Sequence, residues 1–359
     1  KIKKNLVIDA GNSGTFARLF CGFISSYDKE ITLKGDKSLS RRDFSRVIRP
    51  LELFGVNFKS RNSKLPIKIL GSSFLRPIDY FEKKGSAQVK SAILFSSLNT
   101  PGKTVINCVK SRDHTELMLK KSLKIPIKIQ KYKKIEKIEI YGKKNFYNFD
   151  YDIPGDISSA AFFIVLTILS KNSKLLIKNV NLNKTRSGII EIIKRMKGSI
   201  KILNKTIYKG EYIGDVLVKS TNKLNSINCP RELNTRSIDE FLIIFLLCAR
   251  AEGISSFNNI EELRQKESDR LKIASKFLKM IGVKVKEDFG RIKIYGNPNI
   301  NLKKSYKIKN FLKDHRVFMM SSIAALTFGG NFKIYDKSSI KSSFPNFIEI
   351  LKNLGARVL

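Results

Sequence analysis

Two groups of residues in this 359-residue chain have types and spacings suited to holding phosphates or carboxylates. In the first part, GNSGT at Gly11–Thr15 stands between an apolar run, Leu6–Ala10, and a helix-like run that ends near Phe23. Glycines at a strand-to-helix turn let a ligand approach the backbone, and the free N–H groups of the first helical turn favour an anion. The same pattern also describes an ordinary turn. GDKSLSRR at Gly35–Arg42 supplies Arg41 and Arg42, whose planar forks can grip a carboxylate or phosphate, or simply face solvent. GSAQVKSA at Gly85–Ala92 offers Ser86 and Gln88 at a helix start, as anion donors or, for Ser86, as a plain cap. SRDHTE at Ser111–Glu116 packs Ser, Arg, His and Thr into one turn, which a solvated loop could equally carry.

The second part supplies acid–base candidates. Asp239 and Glu240 open an otherwise apolar helical run, so a carboxylate there borders a desolvated core at the positive end of a helix dipole; a helix cap is the plain alternative. LRQKESDR at Leu263–Arg270 places Lys266, Glu267 and Arg270 within one helical turn, with Lys266 and Arg270 on one face, either as a site or as surface ion pairing. DHR at Asp314–Arg316 heads a nearly uncharged helix, where a buried His315 and Arg316 require an anionic partner.

The elements that must position these residues are legible in the pattern. Five segments begin with a polar, capping stretch and continue as an apolar helical run, near Asn12, Ser86, Asp156, Asp239 and Asp314. The starts lie about 70–80 residues apart, the mark of a repeated unit. Strand-like runs intervene, at Leu6–Ala10, Lys174–Val180, Asp215–Lys219, Arg291–Tyr295 and Asn331–Tyr335, which gives an α/β architecture. The DIPG turn at Asp152–Gly155 is the expected boundary, with a first lobe over 1–153 holding two repeats and a second over 154–359 holding three.

Bulk properties narrow the function. A chain of 359 residues with 42% hydrophobic content folds as two globular domains. Four isolated cysteines, Cys21, Cys108, Cys229 and Cys248, and two histidines give no zinc spacing and point to a reducing compartment. The apolar runs Ala160–Leu169 and Phe241–Ala249 are about half a bilayer span and are expected to be buried helices. The net charge of +38 would attract polyanions. Its lysines are spread from end to end, however, and in Lys124–Ile140 alternate with apolar residues at a strand period. A solvated basic surface is preferred to nucleic-acid binding, for which no helix-turn-helix, zinc-finger or RNA-binding signature is present.

Taken together, GNSGT, GDKSLSRR, GSAQVKSA, SRDHTE, GDISSAAFF, DEF, LRQKESDR, DHR, SFPNF and the LGARVL ending resemble, in order, the 5-enolpyruvylshikimate-3-phosphate synthases, over Asn5–Leu359. The resemblance implies two domains, each a threefold repeat of a βαβαββ unit, with the active site in the cleft between them. It implies transfer of the enolpyruvyl group of phosphoenolpyruvate to the 5-hydroxyl of shikimate 3-phosphate, with release of phosphate, on the route to chorismate and the aromatic amino acids. No cofactor or metal is implied. The substrate-binding set it implies is Asn12, Gly14, Thr15, Arg42, Ser86, Gln88, Ser111, Asp239, Lys266, Arg270, His315 and Arg316. Of these, Gly14, Arg42, Arg270 and Arg316 hold phosphoenolpyruvate, and Ser86, Gln88, Ser111, Asp239 and Lys266 hold shikimate 3-phosphate. Asp239 is the implied base and Glu267 the proton donor, with Lys266 close enough to tune Glu267.

The chain also departs from that family pattern. Asp43 stands where Pro is usual, Ala87 replaces a second Ser of one branch, and Ser342 replaces a lysine that some members carry before SFP. Members begin with a further segment of about one repeat bearing a GDKSxSxR motif, so an N-terminally truncated chain is expected, inactive alone if it is this short. The related UDP-N-acetylglucosamine enolpyruvyl transferases use a loop cysteine that none of the four here matches. A cytoplasmic monomer acting on small molecules is expected, with a basic nucleic-acid-binding or RNA-processing protein of related fold as the alternative.

Overall fold

A computed structural model describes residues 6–142 and 148–357. The chain separates into two compact units, one ending at Asp152 and the other beginning at Ile153.

The first unit runs β1 (Leu6–Asp9), α1 (Gly14–Phe23), β2 (Glu30–Lys34), α2 (Ser45–Leu53), β3 (Asn57–Arg61) and β4 (Lys64–Leu70). It then runs β5 (Asp79–Glu82), α3 (Ala87–Leu98), β6 (Lys103–Val109), α4 (His114–Lys121), β7 (Ile127–Lys131) and β8 (Ile135–Tyr141). Its two sheets have orders β1-β2-β4-β3 and β5-β6-β8-β7. In each, the first two strands are parallel and the rest antiparallel. A parallel pair needs a crossover, which α1 and α3 supply, whereas a hairpin needs only a short turn. One βαβαββ pattern is thus built twice. Alternation explains the strands: in β4, Leu65, Ile67 and Ile69 are buried while Lys64, Pro66 and Lys68 face out. The Lys/Ile stretch read at period two becomes the hairpin of β7 and β8.

The second unit runs α5 (Ile157–Leu169), β9 (Lys174–Asn181), α6 (Gly188–Arg195), β10 (Ile200–Tyr208), β11 (Glu211–Lys219), α7 (Glu232–Arg236), α8 (Phe241–Arg250) and β12 (Ile254–Asn258). After these come α9 (Arg270–Met280), β13 (Lys284–Glu287), β14 (Arg291–Tyr295), β15 (Leu302–Ile308), α10 (His315–Phe328), β16 (Gly329–Ile334) and α11 (Phe347–Asn353). Its sheets are β10-β11-β9, β12-β14-β13 and β15-β16. Single parallel bridges, Gly155 with Val180, and Asn225 and Asn228 with Glu252 and Ser256, stand where the first strand of two repeats belongs. The same unit therefore recurs with its opening strand reduced to a bridge.

The inner helices α5, α8 and α10 are apolar on nearly every side, and Phe241 through Ala249 are all buried. Only a helix enclosed by protein tolerates that composition. Their polar starts behave as caps. Asp156 accepts from the amides of Ser158 and Ser159, and Asp314 from that of Arg316. At α8 the capping position is Glu240, not Asp239, and it makes no side-chain cap bond.

In the first unit α1 and α3 approach so closely that a Cβ on Gly22 would lie 2.0 Å from the carbonyl oxygen of Ala92. Beneath them Lys90 and Glu116, 0% and 1% exposed, form an ion pair at 2.5 Å that joins α3 to α4. All four cysteines are free and buried. Burial pushes Cys21, Cys229 and Cys248 up to about 12 and Cys108 to about 11. Among the described residues no helix is long and apolar enough to cross a membrane.

Because the backbones, and not a flexible side-chain end, meet at Gly22, Gly22→Ala should lower the unfolding free energy by about 1–3 kcal/mol. Urea denaturation reads this, and a midpoint equal to that of the parent chain would contradict the close crossing of α1 and α3.

Candidate active site

In the second unit the residues of LRQKESDR, DEF and DHR meet at one place. Arg270, the first residue of α9, is 1% exposed and faces Asp314, which is 0% exposed. Its Nε donates to Asp314 Oδ2 at 2.9 Å and its Nη2 to Oδ1 at 3.2 Å. Nη2 also reaches Glu267 Oε2 at 2.5 Å, and Nη1 lies 3.6 Å from Asp239 Oδ1. Burial disfavours the charge on this guanidinium, but Asp314 and Glu267 outweigh that and hold its pKa above the ordinary arginine value. Ser268 Oγ donates to the same Asp314 oxygen at 2.8 Å.

Lys266 approaches from the other side. Its Nζ lies 2.9 Å from Glu262 and 3.8 Å from Asp239. Arg316, at the start of α10, donates from Nη1 to the carbonyl of Asp239 at 2.7 Å and stands 4.0 Å from Glu240. Glu240 is wholly buried and accepts a short hydrogen bond from Ser158, which in turn accepts from Arg186 at 3.0 Å. Arg186 also holds Asp156 at 2.7 Å. Burial works against the Asp156 carboxylate, but Arg186 and Arg316 keep it below its ordinary range. The starts of α5, α8, α9 and α10 thus share one network of cations and carboxylates.

The first unit holds a smaller, cationic cluster at the starts of α1 and α3. Gly14 leaves room for two guanidiniums: a Cβ there would lie 2.8 Å from Arg18 Nη1 and 2.9 Å from Arg42 Nη1. Arg18 donates to Gln88 Oε1 at 3.1 Å, and Gln88 Nε2 donates to Thr15 at 2.8 Å. Asn12 donates to Asp36 at 2.5 Å, fixing the turn before α1. Ser86 caps α3 at Val89, while its own amide donates to Glu82 at 2.8 Å. Ser91 and Thr115 hydroxyls, 2.7 Å apart, tie α3 to the turn after Ser111, whose Oγ is shut from solvent and meets no protein partner.

Each cluster, taken by itself, suits a ligand that carries negative charge. The chain matches the family described as EPSP synthase (3-phosphoshikimate 1-carboxyvinyltransferase) over residues 1–351. The chain belongs to the EPSP synthase family. A protein named 3-phosphoshikimate 1-carboxyvinyltransferase from Caldicellulosiruptor saccharolyticus is 41% identical over 355 residues, 98% of this chain and 81% of that protein. One of the same name from Zymomonas mobilis is 38% identical over 353 residues, 97% and 78% of the two chains. The solved EPSP synthase of Acinetobacter baumannii aligns at a TM-score of 0.82 and 32% identity, over 97% of this chain and 78% of that one. The fold is the α/β fold of the enolpyruvyl transferases. A nucleic-acid-binding reading of the basic surface gains nothing from these relatives.

Three readings of the sequence change within this EPSP synthase framework. LRQKESDR is not one helical turn: Glu261–Gln265 is a short 3-10 turn, Lys266 is extended and the α-helix starts only at Arg270. Lys266 therefore pairs with Asp239 and Glu262, and Glu267 takes its cation from Arg270. His315 needs no anion of its own, since burial, with Arg316 alongside, pushes it down to about 4 and leaves it neutral at pH 7. Arg18 and Arg186 carry no role in the sequence reading, and for Glu240 and Asp314 it offers only a place at a helix start, not their cationic partners. Only Arg18 left a signal, as it lies four residues after Gly14 on the same helix face.

Two outcomes follow from this geometry. The unfolded chain takes up a proton at His315 near pH 6.5 that the folded chain refuses until about pH 4, so stability falls as pH drops through that window. Replacing His315 by Asn should flatten the profile between those values in denaturation at pH 4.5 and pH 7, and an unaltered slope would contradict a neutral imidazole. Gly14→Ala should displace the Arg18 and Arg42 guanidiniums and raise KM for phosphoenolpyruvate with stability unchanged within about 0.5 kcal/mol; a KM equal to that of the parent would remove Gly14 from that subsite.

Proposed function

We infer that the chain carries out the reaction of its family, transfer of the enolpyruvyl group of phosphoenolpyruvate to the 5-hydroxyl of shikimate 3-phosphate with release of inorganic phosphate. That reaction belongs to chorismate and aromatic amino acid biosynthesis, and both substrates are small phosphorylated molecules. Asp239 takes the 5-hydroxyl proton as that oxygen attacks the central carbon of phosphoenolpyruvate. Glu267, which enters this step protonated, delivers its proton to the methylene carbon and is left as the carboxylate that Arg270 binds; this completes a tetrahedral ketal. The ketal collapses as the phosphate leaves with its C–O bonding pair and takes up the proton held by Asp239, while the new methyl group gives its proton back to Glu267.

The observation that carries this reading is that Asp239 and Glu267 lie 3.6 Å and 2.5 Å from one buried guanidinium, Arg270. A base and an acid held on a single fixed cation keep a constant separation, as a concerted addition across a double bond requires. Arg316 and Arg42 would supply guanidinium donors to phosphoenolpyruvate and Arg270 only the Nη1 that Asp314 and Glu267 leave over, while Asn12, Gly14 and Thr15 at the start of α1 would add backbone and side-chain donors. Ser86, Gln88, Ser111 and Lys266 would hold shikimate 3-phosphate. His315, as a neutral imidazole, would offer one N–H donor without adding charge. We assign 1–153 and 154–359 to the two lobes of the family, and place the protein in the cytoplasm as a monomer.

Phosphate release by a full-length version, assayed with each substrate alone and with both, should show turnover only with both present. Glu267→Gln should then lower kcat by at least about a hundredfold, with KM little changed. Undiminished turnover in that variant would remove Glu267 from the chemistry.

A further inference from the structure

Arg264 lies outside every substrate-binding assignment above, yet it is the most heavily bonded side chain near Lys266 and Glu267. It sits in the 3-10 turn Glu261–Gln265 and is 18% exposed. Its Nε donates to the carbonyl of Phe289 at 2.7 Å. Nη1 donates to both carboxylate oxygens of Asp269, at 3.2 Å and 2.9 Å. Nη2 donates to the carboxylate of Glu287 and to the carbonyl of Asp288, the latter at 2.5 Å. The Phe289 ring lies 5.8 Å from the guanidinium carbon.

These partners fall on two elements. Asp269 is the cap of α9 and accepts from the amide of Lys272 at 2.9 Å, so it sets where Arg270 begins its helix. Glu287, Asp288 and Phe289 form the tip of the hairpin between β13 and β14. That tip is held independently, by the amide of Ile260 donating to the carbonyl of Gly290 at 3.0 Å. Arg264 therefore anchors one end of the irregular stretch 265–268 directly and the other through Asp269. Lys266 and Glu267 lie between the two anchors, where no helix or sheet fixes the backbone.

We propose that Arg264 is a positioning residue for enolpyruvyl transfer, which clamps residues 265–268 against the β13–β14 hairpin so that Glu267 meets Arg270 and Lys266 meets Asp239. The proposal rests on the roles given above to Lys266 and Glu267. Only a planar group with donors on three nitrogens can satisfy two carboxylates and two carbonyls in these directions; an ammonium at the same place would keep the charge and lose the geometry.

The test is made on the full chain with Arg264→Lys and Arg264→Ala. Arg264→Lys is expected to lower kcat about tenfold or more while KM for both substrates stays within about threefold. Arg264→Ala lowers it further, and free guanidinium ion at millimolar concentration restores part of the loss. Hydrogen exchange at the amides of residues 265–269 quickens in both variants, while exchange in α8 and α10 is unaltered. An arginine that only staples the fold would instead lose thermal stability with kcat per folded molecule unchanged and no guanidinium rescue, and that result overturns the proposal. So does unchanged exchange at 265–269, a reading that needs no turnover. If the function assigned above is wrong, the parent chain itself releases no phosphate with both substrates, and the exchange experiment still decides the clamp.

Discussion

A guanidinium removed from water must find its counter-charge in the protein, and that demand at Arg270 organises the second unit. Desolvating one such ion costs several kcal/mol, so a single missing partner would be felt by the whole unit. Asp314 meets most of the demand from a fully buried position while also capping α10 and accepting from Ser268. Glu267 and Asp239 contribute the rest. The start of α9, the start of α10 and the turn before α8 are thereby drawn to one point. The residues proposed to move protons are also among those that make the buried cation tolerable.

The repeat explains why charge collects where it does. Each inner helix is apolar along its length and can carry polar groups only at its ends, and its first turn exposes unbonded N–H groups with a partial positive charge. Asp156 and Asp314 bond two such ends in the second unit, Glu240 stands at a third without bonding it, and Arg186, Arg270 and Arg316 in turn face those carboxylates. In the first unit the starts of α1 and α3 carry hydroxyl, amide and guanidinium groups, which leaves that cluster predominantly cationic. The buried pair of Lys90 and Glu116 below it fixes α3 against α4, and so fixes Gln88 relative to the turn that carries Ser111.

Much of this was legible from the residues. Capping residues ahead of apolar runs marked four of the five inner helices, because caps and helical periodicity are local signals. The Lys/Ile alternation marked the β7–β8 hairpin for the same reason. Site membership can be proposed only through the order of the motifs, since Arg42 or Lys266 alone looks like a surface residue. What stayed hidden was non-local. Asp314 reads as a cap until Arg270, 44 positions away, is placed against it. Glu240 reads as a helix-start acid until Ser158 and Arg316 arrive from other repeats. LRQKESDR looked helical by charge spacing, but Arg264 binds the hairpin tip and Asp269 restarts the helix, so tertiary hydrogen bonds override the local preference.

The four buried thiols settle how this chain meets oxidants and electrophiles. Sulfur reacts as thiolate, and groups pushed up to about 11 or 12 leave on the order of one thiolate in ten thousand or fewer at pH 7. Peroxide and alkylating agents thus find neither access nor a nucleophile in the native state. Thiol modification of this chain would therefore report unfolding.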